Sequence, residues 1–213
     1  MADRPLVDRL PPGTVPHVPL GTLPTPVERA GALGAEIGVP DLYVKRDGRT
    51  GELYGGNKVR KLEFLLADAQ AQECEGVWTL GGIGSNHVLA TALYARQQGL
   101  TPHAAQFPQP VTEHVCENLR VLATTDPELT LVGGTLGVLG EILRVRAKRA
   151  LARDPSLYYV PAGGSSPLGV LGFVNAGLEL AAQVDAGDLP EPDVVVVPVG
   201  SGGTAAGLAI GCR

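Results

Sequence analysis

Lys58 and Lys61 stand three residues apart in the segment LYGGNKVRKLEFLL (53–66), directly behind two glycines and an asparagine. Read as the first turn of a helix, this spacing puts both ammonium groups on one face, one turn apart. Side by side they repel, and both oppose the positive end of the helix dipole. An anionic or carbonyl ligand reverses that balance. A lysine next to a phosphate site is suited to forming a Schiff base with a phosphorylated aldehyde, because positive surroundings lower its pKa. The plain alternative is a pair of solvated lysines at a helix end.

Two further stretches carry candidate chemistry. VPVGSGGTAAG (197–207) reads as strand, glycine-rich loop and helix start. Its successive N–H groups and helix dipole suit a phosphate, with the Ser201 and Thr204 hydroxyls as extra donors. A tight turn that binds nothing explains the same glycines. Gly200, Gly202 and Ala205 also fit the loose dinucleotide pattern G-x-G-x-x-A, although that pattern belongs to an early βαβ unit and this loop follows the sixth expected strand. The second stretch is Ser85-Asn86-His87 at the head of a helix. Helix capping accounts for Ser and Asn there, yet a hydroxyl, an amide and an imidazole in one loop also suit an amino-acid carboxylate, with His87 as a proton carrier. His17, His103 and His114 lack such neighbours in sequence and are read as structural or surface residues.

Composition limits what these residues can serve. The 213 residues are 44% hydrophobic and 18% charged, with a formal charge of −5. That balance does not suggest a nucleic acid or an anionic membrane as partner. Arg144, Arg146, Lys148, Arg149 and Arg153 alternate with apolar residues as a solvated helix face does. Cys74, Cys116 and Cys212 are odd in number and widely spaced, with no histidine at metal-ligand spacing. No disulfide framework or metal centre is expected, and the reading is a soluble chain in a reducing cytoplasm. The N-terminus lacks the apolar core of a signal peptide, and no stretch reads as membrane-spanning.

The elements that position these groups alternate along the chain. Seven prolines in the first 26 residues predict an extended arm. Thr25-Pro26-Val27-Glu28 predicts a helix start with Thr25 as N-cap. Strands are expected at 42–45, 76–80, 103–107, 129–132, 157–160 and 193–199. Helices are expected from Asn57, from Ser85 to Gly99, and over 112–124, 138–153 and 167–183. Such alternation predicts an α/β fold with mostly parallel, twisted sheets covered by helices on both faces. Ligands of such folds bind at the carboxyl ends of strands, where this sequence concentrates glycine in GGIGSN (81–86), GGT (133–135), GGSS (163–166) and GSGGT (200–204).

The motifs LGTLPTPVERA, LYVKRDG, GGNKVRKLEFLL, GGIGSNH, PAGGSSPLGVLGFVNAGLEL and VVVVPVGSGGTAAGL, in this order, resemble the fold-type II pyridoxal-phosphate enzymes of the D-cysteine desulfhydrase and 1-aminocyclopropane-1-carboxylate deaminase branch. The resemblance runs from about Pro19 to the last residue. It implies that Lys58 bonds covalently to the cofactor and acts as base at the substrate α-carbon, and that Lys61 helps hold the cofactor phosphate. It implies a phosphate cradle at Gly200, Ser201, Gly202, Gly203 and Thr204, and makes Asn86 the partner of the cofactor's phenolic oxygen. Ser85 becomes the catalytic residue facing the substrate, with Asn86 and His87 beside it. The implied architecture has two domains: 1–60 with 156–213 form an incomplete larger cofactor domain, and 61–155 an inserted smaller one. A homodimer is implied at full length.

The sequence departs from the branch at Gly84, where glutamine is common, at Leu89, where arginine is usual, and at Gly48, in place of a second aspartate. His87 favours the desulfhydrase side over the cyclopropane deaminases. Family members continue through further strands and helices past the position of Arg213. That difference makes an inactive fragment with residual cofactor or phosphate binding one alternative; a dinucleotide-binding oxidoreductase domain, favoured only by G-x-G-x-x-A, is another. The difference in length also predicts an uncovered apolar edge at DVVVVPV and a marginal last helix containing Gly207 and Gly211.

Overall fold

In the computed structural model, residues 4–150 and 157–213 are described. A parallel sheet of four strands, β3 (Gly76–Gly82), β4 (Thr101–Phe107), β5 (Glu128–Leu131) and β6 (Leu157–Tyr159), runs in the order β5-β4-β3-β6. Val77 lies opposite Pro102 and Tyr158, and Ala104 opposite Leu129. Alternation along β3 sends Val77 and Trp78 to opposite faces. Val77 joins Leu62, Leu66, Ala90 and Tyr94, from helices α3 (Lys58–Ala71) and α4 (Asn86–Gln97), in one core cluster. Trp78 joins Ala105, Val132 and Val145 under helix α6 (Gly134–Ala150) on the other face. Helix α5 (Glu113–Ala123) seats Leu122 against Leu89 and Ala104. The sheet is therefore covered on both faces, as expected.

The N-terminal region departs from expectation. Pro5–Arg9 form a short helix, α1, rather than extended arm; Pro5 occupies a first-turn position, where its missing N–H is no loss. Thr25 caps no helix. Val27–Arg29 is a strand, β1, antiparallel to β2 (Tyr43–Lys45), and the helix α2 begins only at Gly31 and ends at Glu36. Tertiary contacts override the local signal: Thr25 is fully buried, its N–H donates to Glu179 Oε1 at 3.0 Å and its hydroxyl to Asp47 at 3.0 Å.

Helix α7 (Pro167–Asp185) packs against α3 and against α8 (Gly203–Gly211). An 18-residue window of its 19 residues, of mean hydropathy 1.3, meets the length and composition of a membrane span, which corrects the expectation that no stretch reads as membrane-spanning. Its buried polar residues have partners: Asn175 accepts from the Leu6 N–H, and Glu179 from Arg60. The glycines of α8 serve as contact surface. A Cβ on Gly207 would lie 2.4 Å from Phe173 Cβ, and one on Gly211 2.3 Å from the Val174 carbonyl oxygen. They let two helix backbones approach closely, so the propensity argument alone misjudges this helix.

DVVVVPV (193–199) forms no strand. Val194, Val196 and Val199 are 75%, 89% and 70% exposed. Four consecutive valines favour a strand, but a strand requires a hydrogen-bonded neighbour, and the described residues place none alongside. The expected helix over 138–153 is α6, of which 151–153 lie outside the described residues.

Candidate functional site

Helix α3 is buried on nearly every side, from Val59 to Ala67, including Arg60, Lys61 and Glu63. Buried charge of this kind requires partners. Arg60, 1% exposed, donates through Nη1 to Glu179 Oε2 at 2.9 Å and through Nη2 to Asp47 Oδ1 at 2.8 Å and Thr25 Oγ1 at 2.9 Å. Lys45 Nζ lies 2.6 Å from Glu179 Oε1. Burial pulls the Arg60 pKa down, but Glu179 and Asp47 outweigh it and raise the value; Glu179 is held below the usual carboxylate range against its own burial by Arg60 and Lys45. Glu63 is likewise kept low against burial, by His17, Arg4 and the N–H groups of Gly21 and Leu20. These networks hold the helix that carries the two lysines.

Lys58 and Lys61 have no carboxylate partner among the described residues. Lys58 Nζ donates to Asn57 Oδ1 at 2.7 Å. Lys61 Nζ donates to the Gly163 carbonyl at 3.1 Å and to Ser165 Oγ at 3.2 Å, and stands 5.8 Å from the centre of the Phe173 ring. Burial lowers the pKa of Lys58; burial and then the Lys58 charge push Lys61 down to about 8. Two cations are thus kept together, desolvated and unneutralised, an arrangement that favours a bound anion.

Both lysines line a cavity of about 60 Å³ with Gly200, Ser201, Gly202 and Thr204. Gly202 is left-handed, with φ 81°, and turns the chain so that α8 starts at Gly203 with its N-terminus at the cavity. Ser201 Oγ lies 2.6 Å from Ser165 Oγ, and Asn57 Nδ2 donates to Thr204 Oγ1 at 3.4 Å. Asn57 therefore connects Lys58 to the loop, and Ser165 connects Lys61 to it. Neither residue stood out in the sequence beyond its place in a glycine-rich turn. A larger hollow of about 180 Å³, by Trp78, His103, Glu128 and Arg144, shares no lining residue with this site. Its polar groups have partners, His103 Nδ1 at 3.1 Å from Glu128 and Arg144 at 2.8 Å from Glu141.

The loop 81–86 leads from β3 into α4. Ser85 is the N-cap and accepts from the Val88 N–H at 3.4 Å, which leaves its own hydroxyl hydrogen to donate elsewhere. Gly84 adopts φ +71°, and a Cβ there would meet Val115 Cα at 2.8 Å, so a glutamine does not fit this backbone as it stands. His87 is buried. Its Nε2 lies 2.9 Å from Thr79 Oγ1, and its Nδ1 has no aligned partner. Burial, then the charges of Lys58 and Lys61, push its pKa down to about 3, so the ring is neutral near pH 7. Asn86 stands beside Tyr54, His114 and Asn118. His114, read from the sequence as structural or surface, is exposed and also reaches this group. Its i, i+4 spacing to Asn118 on α5 was the available signal.

Residues 18–213 match the family model described as pyridoxal-phosphate dependent enzyme. A D-cysteine desulfhydrase of Yersinia pestis is 39% identical over 194 residues, 89% of this chain and 57% of that protein. A mitochondrial bifunctional D-cysteine desulfhydrase/1-aminocyclopropane-1-carboxylate deaminase of Arabidopsis thaliana is 36% identical over 211 residues, 90% of this chain and 50% of that protein. A crystal structure described as an ACC deaminase homologue superposes with a TM-score of 0.77 at 31% identity, covering 99% of this chain and 62% of its own. The chain thus spans about half to three-fifths of the length of these proteins.

Proposed function

The chain belongs to the pyridoxal-phosphate-dependent enzymes of fold type II, and from that premise we propose that it forms part of a lyase acting on a small amino acid. The favoured reaction is that of a D-cysteine desulfhydrase, in which D-cysteine and one water give pyruvate, ammonia and sulfide. The deamination of 1-aminocyclopropane-1-carboxylate and one water to 2-oxobutyrate and ammonia is the second reading. The observation that carries the proposal is the pair Lys58 and Lys61, desolvated, without a carboxylate and facing the 200–204 loop.

The donor set fits a phosphorylated aldehyde. Lys61, the N–H groups at the start of α8 and the hydroxyls of Ser201 and Thr204 hold the phosphate. Pyridoxal phosphate, when bound, supplies an electron sink for negative charge at the substrate α-carbon. Lys58, its amine made easier to deprotonate by burial, would hold the cofactor at its aldehyde end and would serve as the base at the substrate α-carbon. Ser85 and Asn86 offer donors to the substrate and to the ring oxygen of the cofactor. His87, neutral and bonded to Thr79, stands behind them and shapes the substrate end without carrying charge. The odd number and wide spacing of Cys74, Cys116 and Cys212 are the ground for proposing a reducing cytoplasm.

A panel of D-cysteine, L-cysteine and 1-aminocyclopropane-1-carboxylate, scored for pyruvate, oxobutyrate and sulfide, tests the substrate. Sulfide and pyruvate from D-cysteine alone support the favoured reading. Oxobutyrate without sulfide moves the protein to the deaminases, and no product from any of the three favours the inactive fragment.

A further inference from the structure

Three donors converge on one atom, the side-chain oxygen of Asn86. Asn118 Nδ2 lies 2.7 Å from it, Tyr54 Oη 2.9 Å and His114 Nε2 3.1 Å. The orientation follows from a backbone anchor. Asn118 Nδ2 donates to the Gly84 carbonyl at 2.8 Å, and a carbonyl only accepts, so the nitrogen end of the Asn118 amide is fixed. Asn118 is 6% exposed, and its bond to the Gly84 carbonyl is buried. Its second hydrogen goes to Asn86, which must therefore present oxygen. With both hydrogens committed, Asn118 has none for His114 Nε2 at 3.2 Å, and in the tautomer with hydrogen on that nitrogen the ring also donates to Asn86. Asn86 Oδ1 is saturated. Its amide nitrogen has no hydrogen-bond partner among the described residues.

We propose that Asn118, anchored on Gly84 and assisted by Tyr54 and His114, is a positioning residue that locks Asn86 as a pure donor toward an acceptor oxygen of the bound ligand. The inference rests on the reading above, in which that acceptor is the ring oxygen of pyridoxal phosphate. A donor held there favours the deprotonated oxygen. An amide free to turn would favour the protonated one equally well.

The test has two arms. In the ligand-free protein, thermal unfolding of Asn86→Ala, Asn118→Ala and the double variant reads the tether itself. Contacting residues are expected to be non-additive, the double variant losing less than the sum of the two singles. In the second arm, pyridoxal phosphate is added and bound cofactor is measured by dialysis and by absorption. Asn118→Asp has nearly the same shape but cannot donate, so the Asn86 amide turns. The long-wavelength band of the deprotonated ring is expected to fall several-fold against the near-ultraviolet band, at unchanged stoichiometry. In an Asn86→Ala background, Asn118→Asp should change nothing further. Tyr54→Phe, which leaves the Gly84 anchor in place, should shift the bands the same way by a smaller factor. Additive stability losses, or an unaltered band ratio in Asn118→Asp, would overturn the inference while leaving the cofactor reading intact. A wild-type protein that takes up no pyridoxal phosphate refutes the cofactor reading, and the inference falls with it.

Discussion

A Cβ built on Gly203 would lie 3.0 Å from Lys61 Nζ and 2.5 Å from Ser165 Oγ, so only a glycine at the first residue of α8 leaves room for the Lys61 ammonium group as it stands. The crowded atoms belong to side chains that can move aside. Gly203→Ala should therefore leave thermal stability within about 1 kcal/mol while displacing Lys61 and Ser165 from the cavity. Phosphate or pyridoxal phosphate affinity, measured by titration, should fall about tenfold or more, equivalent to about 1.4 kcal/mol. Unchanged affinity would mean that ligands do not enter between Lys61 and this loop.

The depressed Lys61 pKa gives a pH signature with a definite sign. In the folded, ligand-free chain Lys61 titrates at about 8, against an ordinary lysine value of 10.5. Between these values the unfolded chain binds a proton that the folded chain does not, so the Lys61 contribution makes stability rise with pH across that window. A bound phosphate favours the charged lysine and pulls its pKa up. Affinity for inorganic phosphate should therefore be full below pH 8 and decline above it. Titrations at fixed ionic strength from pH 6.5 to 9.5 check this, and Lys61→Met should flatten the decline.

The Arg60–Glu179 pair should matter more to stability than any surface charge on the chain. Both groups are 1% exposed and stand 2.9 Å apart. Glu179→Gln leaves a buried guanidinium short of a partner, and breaking such a pair costs about 3–5 kcal/mol. Arg29 and Asp41 also meet, at 2.8 Å, but both are more than half exposed, and Arg29→Ala should cost under about 1 kcal/mol. Urea unfolding of the two variants checks the contrast.

Gly207→Ala separates packing from propensity. Alanine favours an isolated helix by about 1 kcal/mol. Against α7, however, the added methyl meets Phe173 Cβ at 2.4 Å and the Val170 carbonyl oxygen at 2.7 Å. Overpacking of that kind costs about 1–3 kcal/mol, so the variant should be net destabilised in thermal unfolding. A stabilised variant would show that α8 does not dock on α7 as described.

The legible and the hidden parts of this protein differ by the range of the interaction that decides them. The lysine spacing, the 200–204 loop and the Ser85 cap are local patterns, and each lies within one element or turn. Arg60 sits in the same short motif yet gave no sign of burial, because its partner Glu179 is 119 residues away inside an apolar helix. Thr25 was misread for the same reason: its sequence neighbours imitate a helix start, while the bonds that hold it come from Asp47 and Glu179. The valines of 194–199 failed in the opposite direction, since strong β propensity forms no strand without a paired neighbour. His114 and Asn118 were at readable helical spacing, but nothing in the sequence says that their shared face meets Asn86.

In the proposed function Lys58 makes the covalent bond and Lys61 only a charge contact. Borohydride reduction of the protein equilibrated with pyridoxal phosphate, followed by peptide mapping, reads this directly. The expected result is a single phosphopyridoxyl label on Lys58. Lys58→Ala should be colourless and unlabelled, and Lys61→Ala should still label Lys58, at a higher cofactor concentration. A label on Lys61, or labelling that survives Lys58→Ala, would contradict the account.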